Sequence, residues 1–204
     1  MDVAFESPYW KKFQYICGVD EVGRGPLAGP VVAAAVIFDR YFEPSGILEQ
    51  IDDSKALRHE TRVLLSSEIK KQALSFSIAE ISPEVIDEVN ILQATFLAMN
   101  QAIEQLSPIP EFLLIDGNRF KTTLPIPFET VVKGDSKVFS IAAASIIAKV
   151  HRDNFMINLA ERYPEYGFAQ HFGYPTKAHI EAIKMFGRSK VHRKSFKLSC
   201  LGEK

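Results

Sequence analysis

The 204 residues are 47% hydrophobic and 24% charged with a formal net charge of −1; this excludes a fibrous or disordered chain and suits one domain with a real core. Only Cys17 and Cys200 occur, so neither a disulfide framework nor a cysteine-built zinc site is expected, and the cytoplasm is the expected location. The uncharged run from Gly25 to Phe38 is too short to cross a bilayer, no secretory leader is predicted, and the near-neutral total gives no general attraction to polyanions.

Residues 14–20 read as a short strand, followed by a glycine- and proline-rich turn over 23–30. Val31 to Phe38 is continuously apolar, the pattern of a strand covered on both faces. Residues 58–73 read as a helix, and Ser75-Phe76-Ser77-Ile78-Ala79 alternates as a half-buried or edge strand. Ser82 is placed to cap a helix beginning at Pro83. Asn90 is placed to cap the next, in which Leu92, Phe96, Met99, Ile103 and Leu106 form one apolar stripe expected in the core. Phe112 to Ile115 is a strand ending in Asp116-Gly117-Asn118, and Glu129 to Val132 is a further short strand. A long helix spans 137–162, and its uncharged stretch from Ile141 to Ala148 suits close approach to a sheet. A last helix runs from Thr176 to Phe186 and ends at Gly187. The order predicts an α/β fold, a mixed β-sheet flanked by helices, in one domain spanning 1–204 with 163–204 as a C-terminal helical and basic extension. Between Glu181 and Glu203 every charged side chain is cationic, which reads either as a nucleic-acid footprint or as a solvated tail.

Three acidic sites fall just past the ends of apolar segments, where open α/β sheets carry function: Asp20-Glu21, Asp116 and Asp135. A carboxylate beside apolar residues is costly to desolvate, and a divalent cation is the simplest compensation. Several carboxylates from separate segments favour hard ions with oxygen ligands, Mg²⁺ or Mn²⁺, and such a cluster suits phosphodiester hydrolysis. Adjacent strand residues point to opposite faces, so Asp20 and Glu21 share a site only if the strand breaks or Glu21 reaches round its edge. Each residue also has a plainer reading: Asp20-Glu21 and Asp116-Gly117 as turn residues, Asp135 as a helix cap.

The motifs carry a resemblance. The thirteen residues from Gly18 to Pro30, with Asp53-Ser54-Lys55, the run from Asn90 to Thr95, Leu114-Ile115-Asp116-Gly117-Asn118, the run from Val132 to Lys137, the run from Ala142 to Asp153, the run from Tyr166 to His171 and His192-Arg193-Lys194-Ser195-Phe196, resemble in order the type 2 ribonuclease H family, its bacterial ribonuclease HII branch. The resemblance covers nearly the whole chain. It implies a ribonuclease H-like fold and a metal site in which Asp20, Glu21, Asp116 and Asp135 are both ligands and catalytic residues for Mn²⁺ or Mg²⁺. Asp153 competes for the fourth place, but the family motif favours Asp135. It also implies that Gly23, Arg24 and Gly25 read a ribose 2′-hydroxyl, that Tyr174 packs on the adjacent deoxyribose, and that Ser54 and Lys55 contact the phosphate backbone. One departure is Phe172, where the family usually has Lys.

The implied substrate is an RNA–DNA hybrid or duplex DNA containing ribonucleotides. Cleavage 5′ to a ribonucleotide would leave 3′-hydroxyl and 5′-phosphate ends. The enzyme is expected to act as a monomer, off the membrane, with Arg24, Lys55 and the basic C-terminal segment holding the duplex. Two other readings remain at this stage: a resolvase-like nuclease on the same fold, and a non-enzymatic nucleic-acid-binding module. The histidines receive no ligand role; His171, beside the Tyr174 motif, is read as either facing the substrate or packing.

Overall fold

A computed structural model describes residues 1–51 and 58–203. Asp53, Ser54 and Lys55, expected to meet phosphate, lie outside the described residues.

Five strands, β1 (Ile16–Val22), β2 (Val31–Ile37), β3 (Ser75–Ile81), β4 (Phe112–Asp116) and β5 (Phe128–Val131), form one sheet in the order β3-β2-β1-β4-β5. β1, β2 and β3 pair antiparallel, whereas β4 and β5 run parallel to β1 and to each other. The helices are α1 (His59–Gln72), α2 (Pro83–Val89), α3 (Ile91–Glu104), α4 (Phe139–Arg162), the single-turn α5 (Phe168–His171) and α6 (Lys177–Phe186). The mixed sheet flanked by helices is as expected from the element order, and β3 is an edge strand.

β2 is apolar throughout because both its faces are covered. Val31, Ala33, Ala35 and Ile37 pack with α2 and α3 on one side, through Ile86, Ala94, Ala98 and Ile103. Val32, Ala34 and Val36 pack with α1 and α4 on the other, through Leu65, Ile69, Ala143 and Ile147. The caps read from sequence form: Asn90 Oδ1 accepts the N–H groups of Leu92 (3.0 Å) and Gln93 (3.2 Å), and Ser82 Oγ accepts that of Val85. The α3 stripe is only partly core. Met99, Ile103 and Leu106 are buried, but Leu92 and Phe96 are half-buried, because small residues, Ala94, Ala98 and Ala102, face the alanines of β2 instead.

The basic C-terminal segment departs most from its expected role. Arg193 is fully buried, and its guanidinium donates to the carbonyls of Gly23 (2.6 Å), Arg24 (3.0 Å) and Gly29 (3.0 Å). Arg188 pairs with Glu203 at 2.8 Å and donates to two more carbonyls. These two arginines hold the chain together; Lys184, Lys190, Lys194 and Lys197 are exposed.

Candidate active site

β1 supplies two acidic side chains from opposite faces. Asp20 lies on the α4 face, where the Ser145 hydroxyl of α4 hydrogen-bonds it and where Gly18, two residues back, lets α4 approach. An added Cβ at Gly18 would stand 2.3 Å from the Ser140 carbonyl carbon, so only glycine fits under the helix. Glu21 leaves from the α3 face, beside Leu92, Thr95 and Phe96. The strand does not break between them: β1 stays paired with β2 through Val22↔Val32. Pairing with β4, however, ends at Val19↔Ile115, which opens the strand's other edge. Glu21 reaches round that edge, so oxygens of Asp20, Glu21 and Asp116 lie within 4.8 Å of one another.

Asp116 ends β4 and is tied to the next segment. The Gly134 N–H donates to Asp116 Oδ1 at 2.6 Å, which places the single 3-10 turn Gly134–Ser136 and its Asp135 at the same cavity. A cavity of about 430 Å³ is lined by Asp20, Glu21, Asp116, Asp135, Ser145, Arg62, Lys149 and Tyr174. The four carboxylates singled out in the sequence thus come to one place. Asp153 does not share it. It is buried behind the site, where it pairs with Lys149 at 2.6 Å and Arg62 at 3.6 Å, two cations that line the cavity. Sequence reading missed Arg62, Ser145 and Lys149. Lys149 and Asp153 do carry a signal, an i,i+4 opposite-charge pair following an uncharged helical run, whereas nothing local marks Arg62.

The charge crowding is visible in the acid strengths. Burial, then the charges of Glu21 and Asp116, holds Asp20 well above the ordinary carboxylate range, against the Ser145 hydroxyl. Glu21 is also raised, by burial first and by Asp116, while the Arg24 guanidinium 3.1 Å away opposes the shift. Clustered carboxylate oxygens fit a hard divalent cation, which would relieve both burial and repulsion.

The loop from Gly23 to Pro30 is set from behind. Gly23 has φ +90°, and a Cβ there would meet Arg152 Nε at 2.2 Å. Arg152 is buried and donates to the carbonyls of Pro30 (3.0 Å), Ala28 (3.1 Å) and Phe172 (3.0 Å). Gly25 faces the Tyr174 ring, with 3.7 Å between an added Cβ and Cε1. Phe172 lies under the Lys149 ammonium, 4.9 Å from the ring centroid, so a cation of α4 stands beside it.

The family model for ribonuclease HII matches residues 17–199. The ribonuclease HII of Chlorobaculum parvum is 59% identical over 204 residues, 100% of both chains. The ribonuclease H2 structure from Pyrococcus horikoshii superimposes with a TM-score of 0.73 at 27% identity, covering 90% of this chain and 94% of the other. The structure of a complex between PCNA and ribonuclease HII from Archaeoglobus fulgidus gives 0.72 at 26%, covering 90% and 96%.

Proposed function

Because the chain belongs to the ribonuclease HII family, nucleases that cleave RNA in RNA–DNA hybrids, we propose that it cuts hybrids and also incises duplex DNA 5′ to an embedded ribonucleotide, leaving 3′-hydroxyl and 5′-phosphate ends. The observation that carries this reading is the convergence of the Asp20, Glu21 and Asp116 oxygens in a cavity that Asp135 and Tyr174 also line.

The chain binds divalent metal through this acidic cluster, and Mg²⁺ or Mn²⁺ is the assignment we favour, because carboxylate oxygens suit both. When bound, such ions supply Lewis-acid activation of water and neutralisation of the leaving oxygen. The chain's own residues do the rest. Asp20, Glu21 and Asp116 would hold the ions, with Asp135 lining the same cavity. Lys149, held by Asp153, faces the cavity as a cation for a phosphate oxygen. Arg24 is half-exposed and bonded to Glu21, and a substrate phosphate would compete for it. Gly23, Arg24 and Gly25 would present backbone groups to the 2′-hydroxyl, the local mark that separates RNA from DNA. The Tyr174 ring would pack on the neighbouring deoxyribose.

Ser54 and Lys55 keep their assignment to the phosphate backbone on the motif alone. We read residues 1–204 as one monomeric unit with 163–204 as its extension, acting in the cytoplasm. Cys17 and Cys200 are both free thiols, which agrees with a reducing compartment. Among the described residues no helix is long and apolar enough to cross a membrane.

The test is Asp116→Asn, assayed with Mn²⁺ on a duplex carrying one ribonucleotide. The expected result is a folded protein whose kcat/KM falls by at least about a hundredfold, ~3 kcal/mol of transition-state stabilisation. Near-normal cleavage would remove Asp116 from the mechanism, and equal cleavage of an all-DNA duplex would favour a resolvase-like nuclease.

A further inference from the structure

Three histidines lie side by side behind Tyr174. His179 and His192 are fully buried, and His171 is buried beside them. The His171 and His179 rings stack at 4.4 Å, and His192 follows at 5.3 Å from His179. Phe168 contacts all three rings.

Their partners fix every ring proton. The Gly173 N–H donates to His171 Nδ1 (3.2 Å), so His171 Nε2–H donates to the Tyr166 carbonyl (2.7 Å). The Ser189 N–H donates to His192 Nδ1 (3.0 Å), so His192 Nε2–H donates to His179 Nε2 (3.1 Å). His179 is left with its proton on Nδ1, which donates to the Tyr174 carbonyl at 2.9 Å. The chain therefore has one direction, from the Ser189 amide through two rings to Tyr174, and it requires both rings neutral. Burial supports neutrality by holding His179 and His192 down to about 4.

The same histidines pin Tyr174 from both ends. Its N–H donates to the His171 carbonyl (2.9 Å), and its carbonyl accepts from Thr176 N–H (2.8 Å) as well as from His179. Gly173 is joined to the loop before β2, since its carbonyl accepts the Leu27 N–H at 2.7 Å. Tyr174 is 40% exposed, and its side chain lines the cavity of the carboxylates.

We propose that the His192–His179 relay is a positioning device that sets Tyr174 against the sugar beside the scissile phosphate, and through it sets the preference for an RNA–DNA junction over continuous RNA. The proposal rests on the sugar-packing role given to Tyr174. His179 and His192 touch no substrate and act only through the tyrosine.

The experiment joins a spectroscopic and a kinetic reading. Nitrogen-15 shifts of the wild-type protein report the tautomers directly; the relay requires the proton on Nδ1 of His179 and on Nε2 of His192. His179→Gln keeps an amide near Nε2 but removes the donor to Tyr174, and should lower the ratio of kcat/KM on a single-ribonucleotide duplex to that on a continuous hybrid about fivefold, the worth of one buried hydrogen bond. His179→Asn places an amide N–H where Nδ1–H stood and should restore most of the ratio. Finding His179 protonated on Nε2, an unchanged ratio in His179→Gln, or equal loss in both variants would overturn the relay. Tyr174→Ala separates the two levels. If it too leaves the ratio unchanged, the sugar-packing role falls and the relay with it; if it shifts the ratio while His179→Gln does not, only the relay falls.

Discussion

His179 and His192 sit away from water with each ring nitrogen already committed, so a second proton on either ring breaks a hydrogen bond that the neutral ring accepts. Their folded pKa values, about 4, lie below the ordinary 6.5. Between those values the unfolded chain binds more protons than the folded one, so the pair's stabilisation is complete above about pH 6.5 and is lost as pH falls toward 4. Urea unfolding of wild type and His192→Gln at pH 7, 6 and 5 isolates this contribution. The wild type should lose on the order of 1 kcal/mol more per pH unit than the variant, and parallel pH profiles would show that the pair is not held neutral. None of this was legible in the sequence, where the three histidines stand at separate points of the last third of the chain and only tertiary packing stacks them. The buried Arg193 was misread for the same reason. A run of cations looks like a footprint until the fold shows that one of them is spent on three carbonyls of the loop from Gly23 to Gly29.

At the scale of elements, the site depends on β1 being held on one edge and released on the other. β2 pairs with β1 from Cys17 to Val22 while β4 leaves at Val19, and that difference lets Glu21 join Asp20 without a break in the strand. The sequence showed the apolar segment and the acidic pair but did not decide between a broken strand and a side chain reaching round, because strand pairing is a long-range property. The long helix was legible from its uncharged stretch, and its closeness to β1 follows from Gly18. Gly18→Ala would drive a Cβ into the Ser140 and Ile141 backbone at 2.3–2.4 Å. Backbone cannot yield as a flexible side chain does, so urea unfolding should show a loss of about 3 kcal/mol. A loss under about 1 kcal/mol would mean that α4 does not press on β1 as described.

For the whole molecule, parallel addition of β4 beside β1 brings Asp116 next to Asp20, although they lie far apart in sequence, and the Gly134 N–H then carries Asp135 to the same cavity. The elements and the acidic residues could be listed from the sequence in order. That they meet depends on the sheet order β3-β2-β1-β4-β5, which periodicity does not specify; the family resemblance implied the ribonuclease H-like fold and the shared metal site but not the order of the strands. The arrangement carries a cost in stability: Asp20 is buried and crowded by the charges of Glu21 and Asp116. We propose that this crowding exists to hold divalent ions. Thermal unfolding of wild type and Asp20→Asn, each with and without Mn²⁺, tests it in one measurement. Metal-free Asp20→Asn should be more stable than metal-free wild type by about 1 kcal/mol, and Mn²⁺ should raise the wild-type midpoint strongly and the variant's hardly at all. A wild type indifferent to Mn²⁺, or a variant stabilised by it as much as wild type, would contradict the account.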